Sequence, residues 1–216
     1  PYGGIEQTAS KLIPLSMVYD QIVKTGLSSK VFSRLTSLLE NNRLRIIQMA
    51  GPSAAFSWWG DLAKDSPFLT TYAYYADWSA SKSLGIKTNQ NQWDNLLDIY
   101  NQKSQEESLL LNAVSLYLAN KMGVPIKTLL KGLAETGQSM HLAKLINKSK
   151  YLYTSYAFPS EQNILSNSLA IVLIKVTAQD LGIPLSVQFL QIVDIARINL
   201  ETTDNPLAKA LMILEN

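Results

Sequence analysis

Four times along this chain a helical stretch runs into a glycine, then an apolar residue, then the start of a new helical pattern. The joints read KTGLSSKVF, KSLGIKTNQ, NKMGVPIKT and QDLGIPLSV. Gly26, Gly85, Gly123 and Gly182 suit the residue just past a helix, where the left-handed backbone costs glycine no Cβ clash. Leu27, Ile86, Val124 and Ile183 are expected to fold back onto the helix just ended. Pro125 and Pro184 are expected in the first turn of the next helix, where a missing N–H is harmless. Joints this short connect only adjacent, roughly antiparallel helices. The chain is therefore a train of helical hairpins.

The periodicity agrees. In Ser28–Met49, Val31, Leu35, Leu38, Leu39 and Ile46 fall near a 3.6-residue stripe, with Lys30, Arg34, Asn41 and Arg45 on the other side. Similar stripes run through Asn91–Tyr100, Glu106–Met122, Pro125–Leu133, Ile164–Leu181 and Pro184–Leu200. A further helix covers Glu6–Val23 and tolerates Pro14 with a local bend. No strand-type alternation is sustained, so the expected class is all-α, with about ten to twelve helical segments. Chained hairpins close into an (α/α) toroid or stay open as a solenoid, and the degenerate repeat favours the closed ring. The 216 residues are read as one such domain. Ala50–Pro67 and Lys150–Ser160 interrupt the train as loops or short insertions.

Composition removes several function classes. With 47% hydrophobic and 17% charged residues, the chain can bury a core and is not a disordered segment. A net charge of +2 and no basic cluster argue against a nucleic-acid or anionic-membrane partner. No apolar run approaches the ~18 residues of a membrane span; the longest, Ser168–Val176, is far shorter. The chain holds no cysteine, which removes disulfides, thiol nucleophiles and thiolate metal sites together. Its single histidine, His141, excludes multi-histidine metal centres. No Walker or dinucleotide loop occurs, so no cofactor is expected. The first residue is Pro1, not Met, and the chain is expected to be one part of a larger protein.

Individual candidates divide between chemistry and packing. His141 in QSMHLAKLINK shares a polar stripe with Gln138, Lys144 and Lys148, opposite Leu142, Leu145 and Ile146, and reads as a helix-surface residue. The stretch FSWWGDLAKDSPFLTTYAYYADW is rich in aromatic rings and carries Asp61, Asp65 and Asp77. A glycosidase would use Trp58 and Trp59 as stacking platforms and two of those carboxylates, about 5–9.5 Å apart, as its catalytic pair. The packing alternative puts Tyr72 and Tyr75 at a helix interface and makes Asp65-Ser66-Pro67 a helix stop and cap. Glu106-Glu107 after Ser104 reads as a capped helix start. An apolar ring centre binding a prenyl or peptide ligand is a third possibility. PYGGIEQT, by itself, is either an anion-binding helix start or a flexible lead into the first helix.

PYGGIEQTASKLIPL also resembles the thioester motif of the α2-macroglobulin and complement family, Pro-x-Gly-Cys-x-Glu-Gln. There it opens the first helix of an (α/α)₆ toroid. Pro1, Tyr2, Gly3, Glu6 and Gln7 match in register, and Gly4 stands where the family has cysteine. SPFLTTYAYYADW resembles the family's Trp-Leu-Thr-Ala-Tyr helix. LETTDNPLAKALMIL resembles its closing Ser-Thr-Gln-(Glu/Asp)-Asn-Ala helix. The three stretches occur in family order across nearly the whole chain, and the first is closest to bacterial members.

In that family the cysteine sulfur and the glutamine carbonyl form an internal thioester that acylates a target. Here no residue supplies the sulfur. Nor does Gln105–Leu111 hold the histidine that some complement-type members use, and His141 does not match it. Gln7 remains an ordinary amide, which is not an electrophile. The resemblance implies a non-catalytic, thioester-like domain with a degenerate motif at Tyr2, Gly3, Gly4, Glu6 and Gln7. Its parent would be a bacterial macroglobulin that inhibits or traps proteases without covalent coupling. Neighbouring macroglobulin-type domains and proteases are the implied partners, and the periplasm or cell envelope the implied location.

Overall fold

The computed structural model describes residues 4–26, 29–50, 65–87, 91–104, 107–146 and 161–202. Among them every regular element is helical, with no strand, as the periodicity predicts. The chain forms two compact units, residues 1–107 and 108–216.

The first unit contains α1 (Gly4–Thr25), α2 (Ser29–Gln48), α3 (Pro67–Leu84) and α4 (Asn91–Lys103). α1 packs against both α2 and α3, and α3 also meets α2 and α4. α1 is continuous through Pro14, which lies on its exposed side. Within α2 the buried line is Leu39 and Ile46, flanked by half-buried Leu35 and Arg43. Val31 and Leu38 of the expected stripe are 46% and 43% exposed. α3 is buried over much of its circumference, including Leu69, Ala73, Tyr74, Ala76 and Ala80. Small residues at 73, 76 and 80 let neighbouring helices approach closely.

The second unit contains α5 (Leu109–Met122), α6 (Lys127–Ala134), α7 (Thr136–Ile146), α8 (Glu161–Asp180) and α9 (Val187–Glu201). α8 is its centre, packed against α5, α6, α7 and α9. Eight consecutive residues, Ser168–Lys175, are buried, so this helix shows no solvent face there. A stripe was the expectation for Ile164–Leu181; enclosure on all sides explains why the apolar residues run continuously instead. Buried Asn199 of α9 donates to the Ile146 carbonyl and to Ser168 Oγ, each at 3.1 Å, tying α7, α8 and α9 together.

The glycine joints form as the sequence indicates. Gly26, Gly85, Gly123 and Gly182 have φ of 67°, 71°, 86° and 65°. Val124 N–H bonds the Ala119 carbonyl at 2.9 Å, and Ile183 N–H bonds that of Ala178 at 2.9 Å, closing α5 and α8 in the six-to-one pattern. Both side chains are buried, whereas Ile86, which makes the same bond to Ser81, is 41% exposed. Leu27 lies outside the described residues.

Two expectations about helix starts are corrected. Pro125 and Pro184 precede the helices: α6 begins at Lys127, and α9 begins at Val187 behind the cap Ser186. The apolar residue after each glycine closes the previous helix, and proline then occupies the extended link between the two helices. Likewise α5 does not start at Glu106. Its cap is Ser108, whose Oγ accepts from Leu111 N–H at 3.2 Å, while Ser104 ends the preceding helix in a 3₁₀ turn. The interruptions expected at Ala50–Pro67 and Lys150–Ser160 fall mainly outside the described residues.

Candidate functional site

Gly4 is the first residue of α1, and its carbonyl accepts from Thr8 Oγ1 at 2.6 Å. Glu6 lies in the first helical turn, exposed, where the helix dipole favours a carboxylate. Gln7 is exposed as well, three residues from Gly4 and therefore on the same side of the helix. Pro1, Tyr2 and Gly3 lie outside the described residues.

Among the described residues, nothing in the backbone or the packing demands glycine at position 4. It is not among the left-handed glycines, and an added Cβ would meet Met49 Cε at 3.5 Å, an ordinary contact. A cysteine side chain could begin there without displacing its surroundings. A thioester, as in the motif this stretch resembles, would need a sulfur there. The chain's only sulfur atoms are methionine thioethers, which are weak acceptors and form no acyl bond of this kind.

A second feature adjoins this helix start. Ser10, one turn beyond Gln7, shares a 2.8 Å hydrogen bond with the Tyr72 hydroxyl of α3. Tyr72 stacks on Phe68 with ring centroids 5.7 Å apart and planes 10° from parallel. Farther along α3, Tyr75 and Trp78 meet at 5.6 Å, and Lys82 Nζ stands 5.0 Å over the Trp78 ring. Residues 68, 72, 75, 78 and 82 recur at helical spacing, so they form one ridge, and its four rings are half-buried. Among the described residues, Phe68, Tyr72, Tyr75 and Trp78 thus form a half-buried ridge along α3, in line with the packing alternative for Tyr72 and Tyr75.

The start of α3 is held from a distance. Ser66 caps it, its Oγ accepting from Leu69 N–H at 3.0 Å, and Pro67 follows in the first turn. Ser66 Oγ also donates to the Glu107 carboxylate, whose Oε2 accepts from Phe68 N–H at 3.1 Å. Glu107 does serve a helix N-terminus, but that of α3 rather than the following helix. Chain-neighbour reasoning missed it because the partner lies some forty residues upstream. Buried Tyr100 reaches Thr71 Oγ1 at 3.4 Å. Burial pushes its hydroxyl pKa well above the ordinary phenol value, and the Glu107 charge adds to the rise.

Of the carboxylates considered for glycoside cleavage, Asp77 is buried and faces Arg43, whose Nε lies 2.8 Å from Asp77 Oδ1. The Nε–H itself is directed at Ser81 Oγ, 3.0 Å away. Burial raises the Asp77 pKa, and Arg43 opposes that shift without cancelling it. Tyr74 is pushed up to about 12, first by burial and then by the charges of Asp65 and Asp77. Asp77 is therefore a structural acid bound to α2. Asp65 is half-buried, and Trp58, Trp59 and Asp61 lie outside the described residues. His141 is exposed, with Leu142 and Ile146 of the same helix buried, as a helix-surface residue should be.

Among the described residues, no cluster of three or more His, Asp or Glu could hold a metal ion. No described helix is long and apolar enough to cross a membrane.

Comparison with known proteins finds a bacterial relative. Over 139 residues the chain is 41% identical to "Alpha-2-macroglobulin" of Ralstonia nicotianae (strain ATCC BAA-1114 / GMI1000). The alignment covers 62% of this chain and 9% of that protein, so the chain spans only a small fraction of the relative's length. No family model matches the chain, and no solved structure matches it.

Proposed function

We propose that this chain is the thioester-type domain of a bacterial alpha-2-macroglobulin-like protein, and that it works without a thioester. The similarity to the Ralstonia protein supports the family. The observation that carries the finer reading is Gly4: it occupies the sulfur position, three residues before Gln7, in a chain with no cysteine. The degenerate motif Tyr2, Gly3, Gly4, Glu6 and Gln7 then contributes a surface instead of an electrophile. The helices complete an (α/α)₆ toroid as a single domain within a much longer protein.

In this reading a protease attacks another part of the parent protein, and the resulting rearrangement hinders the protease by enclosure. The toroid holds or shifts contacts with neighbouring macroglobulin-type domains and performs no catalysis. The exposed Glu6–Gln7 turn and the adjoining Phe68–Tyr72 ridge form its contact face. The parent operates in the periplasm or at the cell envelope. Asp77, one of the three carboxylates of the enzymatic alternative, is paired with Arg43.

The test is incubation of the full-length parent with an active protease and a fluorescent primary amine. Expected are loss of protease activity on large substrates, retained activity on small peptides, and no label on Gln7. Label recovered on Gln7 would sink the non-covalent reading. Undiminished cleavage of large substrates would sink the trapping role.

A further inference from the structure

A cleft of about 310 Å³ opens between α5 and α8, where the last turns of the two helices lie side by side. Its walls carry an aromatic ring, Tyr117, and an aliphatic side chain, Val176. Its polar groups are Asn120 and Lys121 of α5 and Thr177, Gln179 and Asp180 of α8, with the Thr177 hydroxyl donated to the Leu173 carbonyl at 2.8 Å. Asn120 Nδ2 donates to Asp180 Oδ2 at 2.6 Å, fixing amide and carboxylate together. That bond uses one carboxylate oxygen and none of the acceptor capacity of the Asn120 carbonyl.

The charges decide what such a cleft accepts. Lys121 Nζ lies 5.3 Å over the Tyr117 ring, and no ion pair joins it to Asp180. One positive and one negative group therefore border the same space separately. A cationic ligand meets Lys121, and an anionic one meets Asp180, so each net charge gains from one group and is penalised by the other. A neutral ligand whose groups both donate and accept can use the side chains of Asn120, Lys121, Gln179 and Asp180 together. Hydroxyl groups have that property, and Val176 offers an apolar wall for a C–H face. A volume near 300 Å³ is at the small end of ligand sites.

We propose that the α5–α8 cleft binds a neutral, hydroxyl-rich sugar ring. Asp180 and Asn120 would accept and donate to adjacent hydroxyls, Lys121, held over the Tyr117 ring, and Gln179 would close the rim, and Val176 would meet the sugar's C–H groups. One carboxylate does not make a hydrolytic pair, so the site binds and does not cleave. The inference is independent of the macroglobulin reading.

The experiment is saturation-transfer NMR on the full chain with three matched probes: glucose, its 2-amino analogue glucosamine, and glucuronate. The expected result is saturable transfer to glucose in the millimolar range and weaker transfer to both charged probes. Asp180 is exposed, so Asp180→Asn should leave the fold intact while weakening glucose binding about tenfold. Asn120→Ala should do the same. Absence of transfer to glucose overturns the proposal, as does transfer unchanged in both variants. Equal or tighter binding of a charged probe overturns the charge argument on which it stands.

Discussion

Arg43 of α2 and Asp77 of α3 form an ion pair in which the acid is enclosed and the base is not. Their side chains are 9% and 23% exposed respectively. The asymmetry matters because burial already raises the Asp77 pKa despite its partner. Removing Arg43 leaves a buried carboxylate with less compensation. Arg43→Met should cost about 2–3 kcal/mol at neutral pH by urea unfolding. The sign with pH follows from the raised value. A group that binds its proton more tightly when folded favours the native state in acid and penalises it once ionised. The deficit of Arg43→Met should therefore shrink as pH falls through the folded pKa of Asp77. A deficit that stays constant between neutral and mildly acidic pH would show that Asp77 is not the cause.

The α3 start offers a second test. Ser66→Ala removes a cap bonded to both Leu69 N–H and Glu107, and should cost about 1–2 kcal/mol. Glu107→Gln keeps an acceptor for Phe68 N–H but removes the charge at the helix N-terminus, at a cost of about 0.5–1 kcal/mol. Because the two side chains touch, the double variant should lose less than the sum. Strict additivity in denaturant titrations would mean that they act separately.

Asn199 is the buried polar tie of the second unit. Asn199→Leu removes both of its bonds and leaves the Ile146 carbonyl and Ser168 hydroxyl to find other partners, for about 2 kcal/mol of destabilisation. Thermal unfolding at constant pH reads the loss, and a shift near zero would show that Asn199 contributes little there.

The glycines predict opposite signs. Gly123 sits at φ 86°, so Gly123→Ala should destabilise by about 1 kcal/mol or more. Gly132 lies inside α6, outside the left-handed region, with nothing within 4 Å of an added Cβ. Gly132→Ala should stabilise by about 0.5–1 kcal/mol. Matching signs for the two substitutions would contradict the backbone assignment.

Gly4→Cys tests the motif itself. The new Cβ is accommodated beside Met49, so the variant should fold. Gln7 is already exposed on a regular helix, with nothing in the described contacts holding its amide against position 4. The thiol should titrate as one free equivalent with a disulfide reagent, and the intact mass should show no loss of ammonia. Spontaneous loss of ammonia would mean that the frame can still close the bond.

What the sequence disclosed was local. The glycine joints were legible because left-handed closure depends on one residue and its immediate neighbours, and all four adopt it. The Ser66-Pro67 cap was legible for the same reason. Glu107 was not: its charge pointed to a helix start, but which start depended on a contact far back along the chain. The pairing of Ser10 with Tyr72 was equally hidden, since neither residue carries a local signal of the other. At Gly4 the missing sulfur was plain from the sequence. That the position would tolerate a side chain was not, because tolerance depends on where Met49 lies.

The enclosure of α8 gives the protein an internal clock. An amide proton on a helix with no solvent face cannot trade with water by fraying or breathing at the surface. From Ser168 to Lys175 exchange is expected to need an opening that separates α8 from its neighbours. Deuterium uptake at those eight amides would report the free energy of that opening where reclosing outpaces exchange, and its rate where exchange is the faster.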